Sequence, residues 1–329
     1  MRRILVLTDM YGWALDHVFQ AVRPSLESRF YVKYLAIREI PLEGRLSGVF
    51  RYLPLPLCWA GSEGFFRSFD GIFAFYSLLL SHIHPRVRDS AACGIHCHYE
   101  FTDNRSPQTL ARTVESPSEI FLDRLGKKRL IATPSRRLVS ILESCGLRVR
   151  HVPNAVDPAL FFPAPAQRNH GPLRVGWCQS ESNHTFKRRI AEIRRVYARL
   201  PEVELVEIPQ DRPIRDRNEM RNWYNSLDCY VCFSICEGGP MPVLEAMACG
   251  VPCVSTPVGH VPDIIEHGVN GWIVNSESEL ESTLQLLADN RGLLVNAGRQ
   301  AREAILAKRA PEAVGPYWIR FFEEMTGGA

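Results

Sequence analysis

Two glutamates, Glu237 and Glu245, lie on either side of a glycine turn in the second half of the chain. Gly238 and Gly239 allow the backbone there to approach a ligand closely, and Pro242 suits the first turn of a helix. Such a helix presents N–H groups and the positive end of its dipole, which favour an anionic group. A carboxylate can accept hydrogen bonds from two vicinal hydroxyls, as acidic residues do for ribose. The segment is therefore typical of a site for a phosphorylated, hydroxyl-bearing ligand.

The glutamate pair by itself also has a plainer interpretation. Two glutamates at this separation occur often by chance. An acidic residue near a helix N-terminus can simply complement the dipole, which is worth less than about 1 kcal/mol. The function of the pair therefore depends on the segment around it.

The ten cysteines of the chain raise the question of a metal site. Cys229, Cys232 and Cys236 lie close together in a strand-like run, but no matching Cys-x2-Cys pair follows them. A structural zinc site usually needs two such ligand clusters. We therefore expect no metal and no cofactor, and thiols that act as small core residues.

Short apolar runs alternate with helical patterns along both halves of the chain. Such runs are typical of buried parallel strands. The predicted strands are 3–8, 31–37, 71–76, 94–99, 130–133, 173–178, 203–208, 229–234, 251–255 and 271–274. The predicted helices include 77–89, 107–125, 187–200 and 217–226. This alternation indicates βαβ units, so the predicted fold class is α/β with doubly wound parallel sheets.

Five prolines between positions 153 and 172 interrupt this alternation. Such a density is typical of a linker, and 329 residues are enough for two domains of roughly 150 residues each. We expect one Rossmann-like domain over residues 1–155 and a second over residues 156–310. Open α/β sheets bind ligands at their strand ends, so the two domains are expected to face a cleft.

The formal net charge of +3 conceals an asymmetry between the two halves. Residues 1–155 contain 21 Lys and Arg against 14 Asp and Glu, a net charge of +7, and the remainder contains 18 against 22, a net charge of −4. A basic first half can contact anionic lipid, an anionic acceptor or nucleic acid, or it can be a solvated surface without a partner.

Neither a targeting segment nor a membrane span is evident in the sequence. Asp9 and Asp16 interrupt the N-terminal apolar run too early for a signal peptide. The most apolar later stretch, residues 71–80, is far shorter than the roughly 20 residues that cross a bilayer. We expect a cytoplasmic protein that could lie at the inner face of a membrane.

The stretch from Glu237 to Val274 reads EGGPMPVLEAMACGVPCVSTPVGHVPDIIEHGVNGWIV. It resembles the signature of the family-4 glycosyltransferases of the GT-B fold, the glycosyl transferases group 1. The likeness extends upstream through NWYNSLD at 222–228 and HVPNAVD at 151–157, and it is thin before about residue 130. His260 replaces the second glycine of a pair that the family usually has. The resemblance implies two Rossmann-like domains that face a cleft, and a C-terminal helix over 311–329 that returns to the first domain.

The resemblance also implies roles for the residues of the glycine turn. Glu237 would contact hydroxyls of the transferred sugar, and Glu245 would contact the ribose of the nucleotide. The backbone from Gly238 to Met241, which includes Gly239 and Pro240, would face the donor sugar and its diphosphate.

A basic pair after the first strand of the second domain neutralises the leaving diphosphate in this family. Trp177 stands where an arginine is common, so it is expected among the donor-binding residues. Lys187 is the expected catalytic lysine, with Arg188 as a second candidate.

Two candidates lie in the first domain. Gly12 follows the first strand and could approach the diphosphate, although an ordinary strand-to-helix turn is an equal alternative. His98 matches the place where the family often has an active-site histidine near the sugar. His96 lies two residues earlier on the same face and competes with it.

The implied reaction retains the anomeric configuration and needs no metal. The sequence contains no Asp-x-Asp, the usual metal–diphosphate ligand of the other major glycosyltransferase fold. The leaving phosphate would take the acceptor proton, so the enzyme mainly stabilises separated charge. The expected partners are a nucleotide sugar and a sugar, lipid-linked or other acceptor. Peripheral contact with an anionic membrane is a further expectation, and no nucleic acid is expected.

Three other functions compete with the transferase. A dinucleotide-dependent oxidoreductase would need Gly-x-Gly-x-x-Gly after a strand, and neither strand that begins a domain provides it. A catalytically inactive relative could bind a nucleotide sugar or only partners, an idea that Trp177 and the sparse Gly12 loop favour. A GT-B-fold epimerase acting on a free nucleotide sugar is the third.

Overall fold

The computed structural model describes residues 1–8, 14–36, 63–96, 117–126, 128–164, 171–178, 189–208, 214 and 216–327. These residues form two compact units. The described residues up to Ala155, together with those from Val314 onward, make the first unit, and Val156–Ala313 makes the second.

The first unit is built on a six-stranded parallel sheet. Its strands are β1 (Arg2–Thr8), β2 (Phe30–Ala36), β3 (Gly71–Ala74), β4 (Ala92–Gly94), β5 (Leu130–Thr133) and β6 (Arg148–His151). Their order is β2-β1-β3-β4-β5-β6, so the chain leaves β1 toward one side and later returns to its other side. Ile4, Leu5, Val6 and Leu7 are fully buried. A strand with neighbours on both edges and packing on both faces therefore reads as a continuous apolar run.

The helices of the first unit are α1 (Ala14–Glu27), α2 (Glu63–Arg67), α3 (Pro85–Arg88), α4 (Glu119–Leu125) and α5 (Arg136–Ser144), with a 3-10 helix at Ser77–His82. The sequence predicted one helix over 77–89, and the structure shows two short ones instead. Pro85 is the reason, because the residue before a proline avoids the helical region. His84 accordingly has ψ of 131°, and the second helix restarts with Pro85 in its first turn.

The second unit contains a five-stranded parallel sheet. Its strands are β7 (Leu173–Cys178), β8 (Val203–Ile208), β9 (Cys229–Cys232), β10 (Cys253–Ser255) and β11 (Gly271–Ile273). The helices are α6 (Ile190–Tyr197), α7 (Arg217–Asn225), α8 (Met241–Ala248), α9 (Val261–Ile264), α10 (Glu277–Asp289) and α11 (Arg291–Lys308). The strand order is β11-β10-β9-β7-β8, a doubly wound arrangement. Both sheets confirm the predicted α/β class.

The last helix, α12 (Pro311–Met325), packs its aromatic side chains against the first unit. Trp318 contacts Phe73 edge to face at 5.5 Å between ring centroids, and Phe322 contacts Phe30 in the same way at 5.8 Å. At the end of the helix, Glu324 accepts hydrogen bonds from Arg148 and Arg150 of β6. Apolar burial thus fixes this helix, because exposed ion pairs contribute little.

In the described part of the chain, no helix is long and apolar enough to cross a membrane. The same residues contain no cluster of three or more His, Cys, Asp or Glu side chains that could hold a metal ion.

Candidate functional site

The strand order of the second sheet creates a topological switch point. β8 lies on one side of β7 and β9 lies on the other. The crevice beyond the carboxyl ends of two such strands is where open α/β sheets bind ligands. The glycine turn begins a few residues after the end of β9, and Lys187 and Arg188 follow β7 in the sequence. The sheet therefore positions the glycine turn at the place where a ligand is expected.

Glu237 is half-buried at the end of the segment that follows β9. The Ser234 hydroxyl donates a hydrogen bond to Glu237 Oε1 at 3.2 Å. The Ser234 carbonyl in turn accepts from the Thr256 hydroxyl at 2.7 Å, and Thr256 is buried directly after β10. The two strand ends thus orient this carboxylate through a short chain of hydrogen bonds.

Gly259 packs closely against the backbone at the start of the glycine turn. Its φ of +53° is in the left-handed region, which favours glycine. A Cβ atom at this position would lie 2.5 Å from the Gly238 carbonyl oxygen and 2.8 Å from that of Glu237. The backbone at 259 therefore packs directly on the carbonyl groups of Glu237 and Gly238. No role for Gly259 was predicted from the sequence, although its place in the family's glycine pair was a signal.

Helix α8 follows the turn, but its N-terminus offers fewer donors than the sequence suggested. Pro242 has no N–H, and the Val243 N–H donates to the Pro240 carbonyl at 3.1 Å. Two of the first three helical residues therefore present no N–H to a ligand. Met241 itself is 4% exposed, and Gly238 and Pro240 are buried as well, so Gly239 is the more accessible residue of the turn.

Glu245 is buried in α8, with 3% of its surface exposed. Arg217 Nη2 donates to Oε1 at 2.9 Å, and the Tyr224 hydroxyl donates to Oε2 at 2.9 Å. Burial and the neighbouring Glu245 charge raise the pKa of Tyr224 well above its usual value, which keeps its hydroxyl proton in place. The sequence indicated Glu245 but gave no sign of either partner, because they lie 28 and 21 positions away.

Trp177 lies in the hydrophobic core of the second unit. Its side chain is 2% exposed and belongs to the same buried cluster as Val175 and Phe233. The sequence placed it among the donor-binding residues, whereas the structure gives the indole a packing role. Three apolar residues at alternate positions of β7 line that core, since strand residues i and i+2 share a face.

Four predicted site residues lie outside the described residues: Gly12, His98, Lys187 and Arg188. The next residue, Arg189, is described and has φ of +54° and ψ of 42°. Its guanidinium lies 4.3 Å from the centroid of the Phe233 ring, which directly follows β9. The structure therefore brings a cation from the β7 side of the switch point to the β9 side.

His96, the competitor of His98, is a packed residue of the first unit. Its ring lies against Phe75 and Tyr76 at centroid distances of 6.0 and 5.8 Å, and both ring nitrogens are buried. Burial lowers its pKa to about 4, because desolvation disfavours the charged form. Gly94 makes room for the ring, since a Cβ there would lie 2.5 Å from Nε2 of His96.

This lowered pKa predicts a pH-dependent stability. The unfolded chain binds a proton at His96 below about pH 6.5, whereas the folded chain binds it only near pH 4. The free energy of unfolding should therefore fall between these values, by about 3 kcal/mol in total. His96→Phe should remove that part of the slope in urea unfolding curves between pH 7 and pH 4. Phe75→Leu, a change at a buried neighbour of His96 that does not titrate, should lower the stability without removing the slope. Parallel slopes in wild type and His96→Phe would contradict the assignment.

Comparison with solved structures defines the class of the fold as GT-B. Sucrose-phosphate synthase from Thermosynechococcus elongatus matches with a TM-score of 0.76 and 15% identity, covering 100% of both chains. Anabaena Alr3699/HepE in complex with UDP-glucose matches with a TM-score of 0.70 and 16% identity, covering 99% of this chain and 100% of the other. At such identities the likeness is one of fold.

One segment of the second unit matches a family model. Residues 186–290, which contain the glycine turn and both glutamates, match the family model of the Glycosyl transferases group 1. In this segment the chain is therefore similar to the group 1 glycosyltransferases.

Curated relatives match over parts of their length. N-acetyl-alpha-D-glucosaminyl L-malate synthase of Bacillus anthracis is 34% identical over 100 residues, which are 29% of this chain and 26% of that protein. D-inositol 3-phosphate glycosyltransferase of Pseudarthrobacter chlorophenolicus is 26% identical over 216 residues, 54% of this chain and 51% of that protein. The chain thus spans between about a quarter and a half of these relatives.

Proposed function

We propose that this protein transfers a sugar from a nucleotide-diphosphate donor to an acceptor, with retention of the anomeric configuration. The observation that carries the proposal is the turn at the switch point of the second sheet. There Gly259 packs on the carbonyl groups of Glu237 and Gly238, and Ser234 orients the Glu237 carboxylate. The group 1 match over the same residues supports a sugar nucleotide as the ligand.

Each residue of the turn has a proposed role. Glu237 accepts hydrogen bonds from hydroxyls of the transferred sugar. The backbone of Gly238, Gly239, Pro240 and Met241 faces the donor sugar and diphosphate. Glu245 accepts from the ribose hydroxyls. Outside the described residues, Lys187 and Arg188 remain the candidates for neutralising the diphosphate, Gly12 for approaching it, and His98 for contact with the sugar.

The proposed chemistry needs no second carboxylate and no metal. The acceptor oxygen forms a bond to the anomeric carbon on the face that the diphosphate leaves, and the carbon–oxygen bond to the diphosphate breaks. The acceptor proton passes to an oxygen of the leaving phosphate, so charge and atoms balance. Such a transition state separates charge, and fixed dipoles and cations stabilise it most. A two-carboxylate mechanism of the glycosidase type would need a partner carboxylate about 5 Å away.

The acceptor is proposed only as a class. The names of the two relatives include L-malate and D-inositol 3-phosphate, both of them anionic, which supports a small anionic acceptor. The net charge of +7 in residues 1–155 supports an anionic acceptor or contact with an anionic membrane. Salt-sensitive sedimentation with anionic liposomes would distinguish the two.

A nucleotide-sugar screen tests the function. Ligand binding to the native state raises the apparent melting temperature, by an amount that grows with concentration over Kd. One of the UDP-, GDP- or ADP-sugars should raise it, and the same compound should be hydrolysed slowly without an acceptor. Stabilisation without hydrolysis or transfer would favour a catalytically inactive donor-binding protein, an alternative that the core position of Trp177 supports. If none of these sugars binds, the proposal fails.

A further inference from the structure

The buried Glu245 carboxylate belongs to a hydrogen-bonded cluster that also includes two side chains of helix α7. Arg217 and Tyr224, both on helix α7, each donate to one of its oxygens at 2.9 Å. They lie seven residues apart, so they share one face of the helix. Asp216 caps α7 through the N–H groups of Asn218 and Glu219, at 2.8 and 2.9 Å, and so fixes Arg217 in the first turn.

Phe161 provides a common platform for both donors. The Arg217 guanidinium lies 4.6 Å from the centroid of its ring, and the Tyr224 ring contacts it edge to face at 6.1 Å. Phe161 is fully buried, and its carbonyl accepts a hydrogen bond from Arg302 at 2.6 Å. Arg302 also donates to the Ala248 carbonyl at the end of α8. The cluster is thereby fixed to the helix that carries Glu245.

The chemistry of the carboxylate determines what this cluster can do. A carboxylate has roughly four acceptor positions, two on each oxygen. Arg217 and Tyr224 take one on each oxygen, which fixes the plane of the group and leaves one further position on each. Two acceptors on the two oxygens of one fixed carboxylate suit two vicinal hydroxyls. A buried carboxylate also requires a nearby cation, which Arg217 provides.

We infer that Arg217 and Tyr224 are positioning residues that set Glu245 to read the vicinal hydroxyls of a ribonucleotide. The inference rests on the proposed function, because it assumes that a nucleotide occupies the turn at the switch point. According to this inference, discrimination between ribose and deoxyribose depends on Arg217 and Tyr224 of α7 as well as on Glu245 of α8. Loss of either donor frees the carboxylate to rotate, so the two acceptor positions no longer face the hydroxyls together.

The helix provides a matched control for Arg217. Arg221 lies one turn further along α7, and its guanidinium stacks on Phe162 at the same 4.6 Å. Its hydrogen bonds go to the side chains of Asn218 and Asn222 instead of Glu245. Arg217→Met and Arg221→Met therefore remove the same charge and a similar ring contact, and only the first removes a donor to Glu245.

The test compares nucleotide pairs by calorimetry. UDP, GDP, ADP and CDP are titrated into the wild-type protein, and the nucleotide that binds is compared with its 2′-deoxy form. Wild type should prefer the ribonucleotide about tenfold or more, as expected for a hydrogen bond to a charged group. Arg217→Met should weaken ribonucleotide binding about tenfold and bring the preference to within about threefold. Tyr224→Phe should act in the same direction, and Arg221→Met should keep the wild-type preference.

General damage to the fold would weaken the binding of both nucleotide forms, so it would not by itself change the preference for the ribonucleotide over its 2′-deoxy form. Should Arg217→Met fail to fold, Tyr224→Phe carries the test, since it removes one donor and keeps the buried charge compensated. An Arg217→Met or Tyr224→Phe protein that keeps the full wild-type preference would overturn the inference, as would a wild type that binds both forms equally while still binding a nucleotide. If wild type binds none of the four nucleotides, the proposed function itself fails, and the inference with it.

Discussion

Glu237→Gln should lower kcat/KM for sugar transfer about 100- to 1000-fold, the effect of removing one fixed electrostatic contact to a transition state. The carboxylate is held by the Ser234 hydroxyl at 3.2 Å, and Ser234 is tied to Thr256 at the end of the neighbouring strand. Gln keeps the volume of the side chain and loses the charge. The measurement is the initial rate of transfer or of slow donor hydrolysis, with the donor that the nucleotide-sugar screen identifies.

The fold should survive this change, because Glu237 is only half-buried and its side chain is not part of the core. Glu266→Gln, at an exposed glutamate of the same unit, should leave both the rate and the melting temperature unchanged. A Glu237→Gln protein that transfers sugar at nearly the wild-type rate would remove Glu237 from the proposed mechanism.

Gly259→Ala should both destabilise the fold and disturb the glycine turn against which Gly259 packs. A left-handed φ of +53° costs a non-glycine residue about 1–2 kcal/mol. The added Cβ would also lie 2.5 Å from the Gly238 carbonyl oxygen. Such overpacking costs about 1–3 kcal/mol more. The backbone that has to move is that of Glu237 and Gly238. We therefore expect a lower free energy of unfolding in urea together with weaker nucleotide-sugar binding.

Gly268→Ala separates the cost of the left-handed backbone conformation from the cost of the steric overlap. Gly268 has φ of +77°, but a Cβ there would meet no atom within 4 Å. It should therefore show the conformational cost alone, about 1–2 kcal/mol, with donor affinity unchanged. Equal losses of donor affinity in both variants would mean that close packing against the carbonyl groups of Glu237 and Gly238 is not what shapes the site.

Local sequence patterns were sufficient for the fold class. Strands such as β1, β7 and β9 are apolar runs bounded by turns, and these features depend only on neighbours in the chain. Where the prediction failed, the cause was also local. One helix was expected over residues 77–89, and Pro85 divides it because of the conformation that it imposes on His84.

Only part of the candidate site could be predicted from the sequence. The types and order of its parts, from Glu237 through the glycine turn to Glu245, were predictable from the sequence because these residues are contiguous. The sequence could not assign Gly259, since the need for glycine there comes from a carbonyl 21 positions away. It also gave Trp177 a donor-binding role, because burial in a core depends on which strands become neighbours.

The sequence by itself therefore determined an α/β chain with a phosphate- and hydroxyl-binding type of turn after a buried strand. The tertiary structure alone decided that the turn lies at a switch point, that Gly259 supports it, and that Arg217 and Tyr224 hold Glu245. The physical reason is that periodicity, turns and caps arise from interactions between residues close in the chain. The order β11-β10-β9-β7-β8, by contrast, brings together residues that are 21 or more positions apart. A single sequence does not encode such pairings in any local pattern.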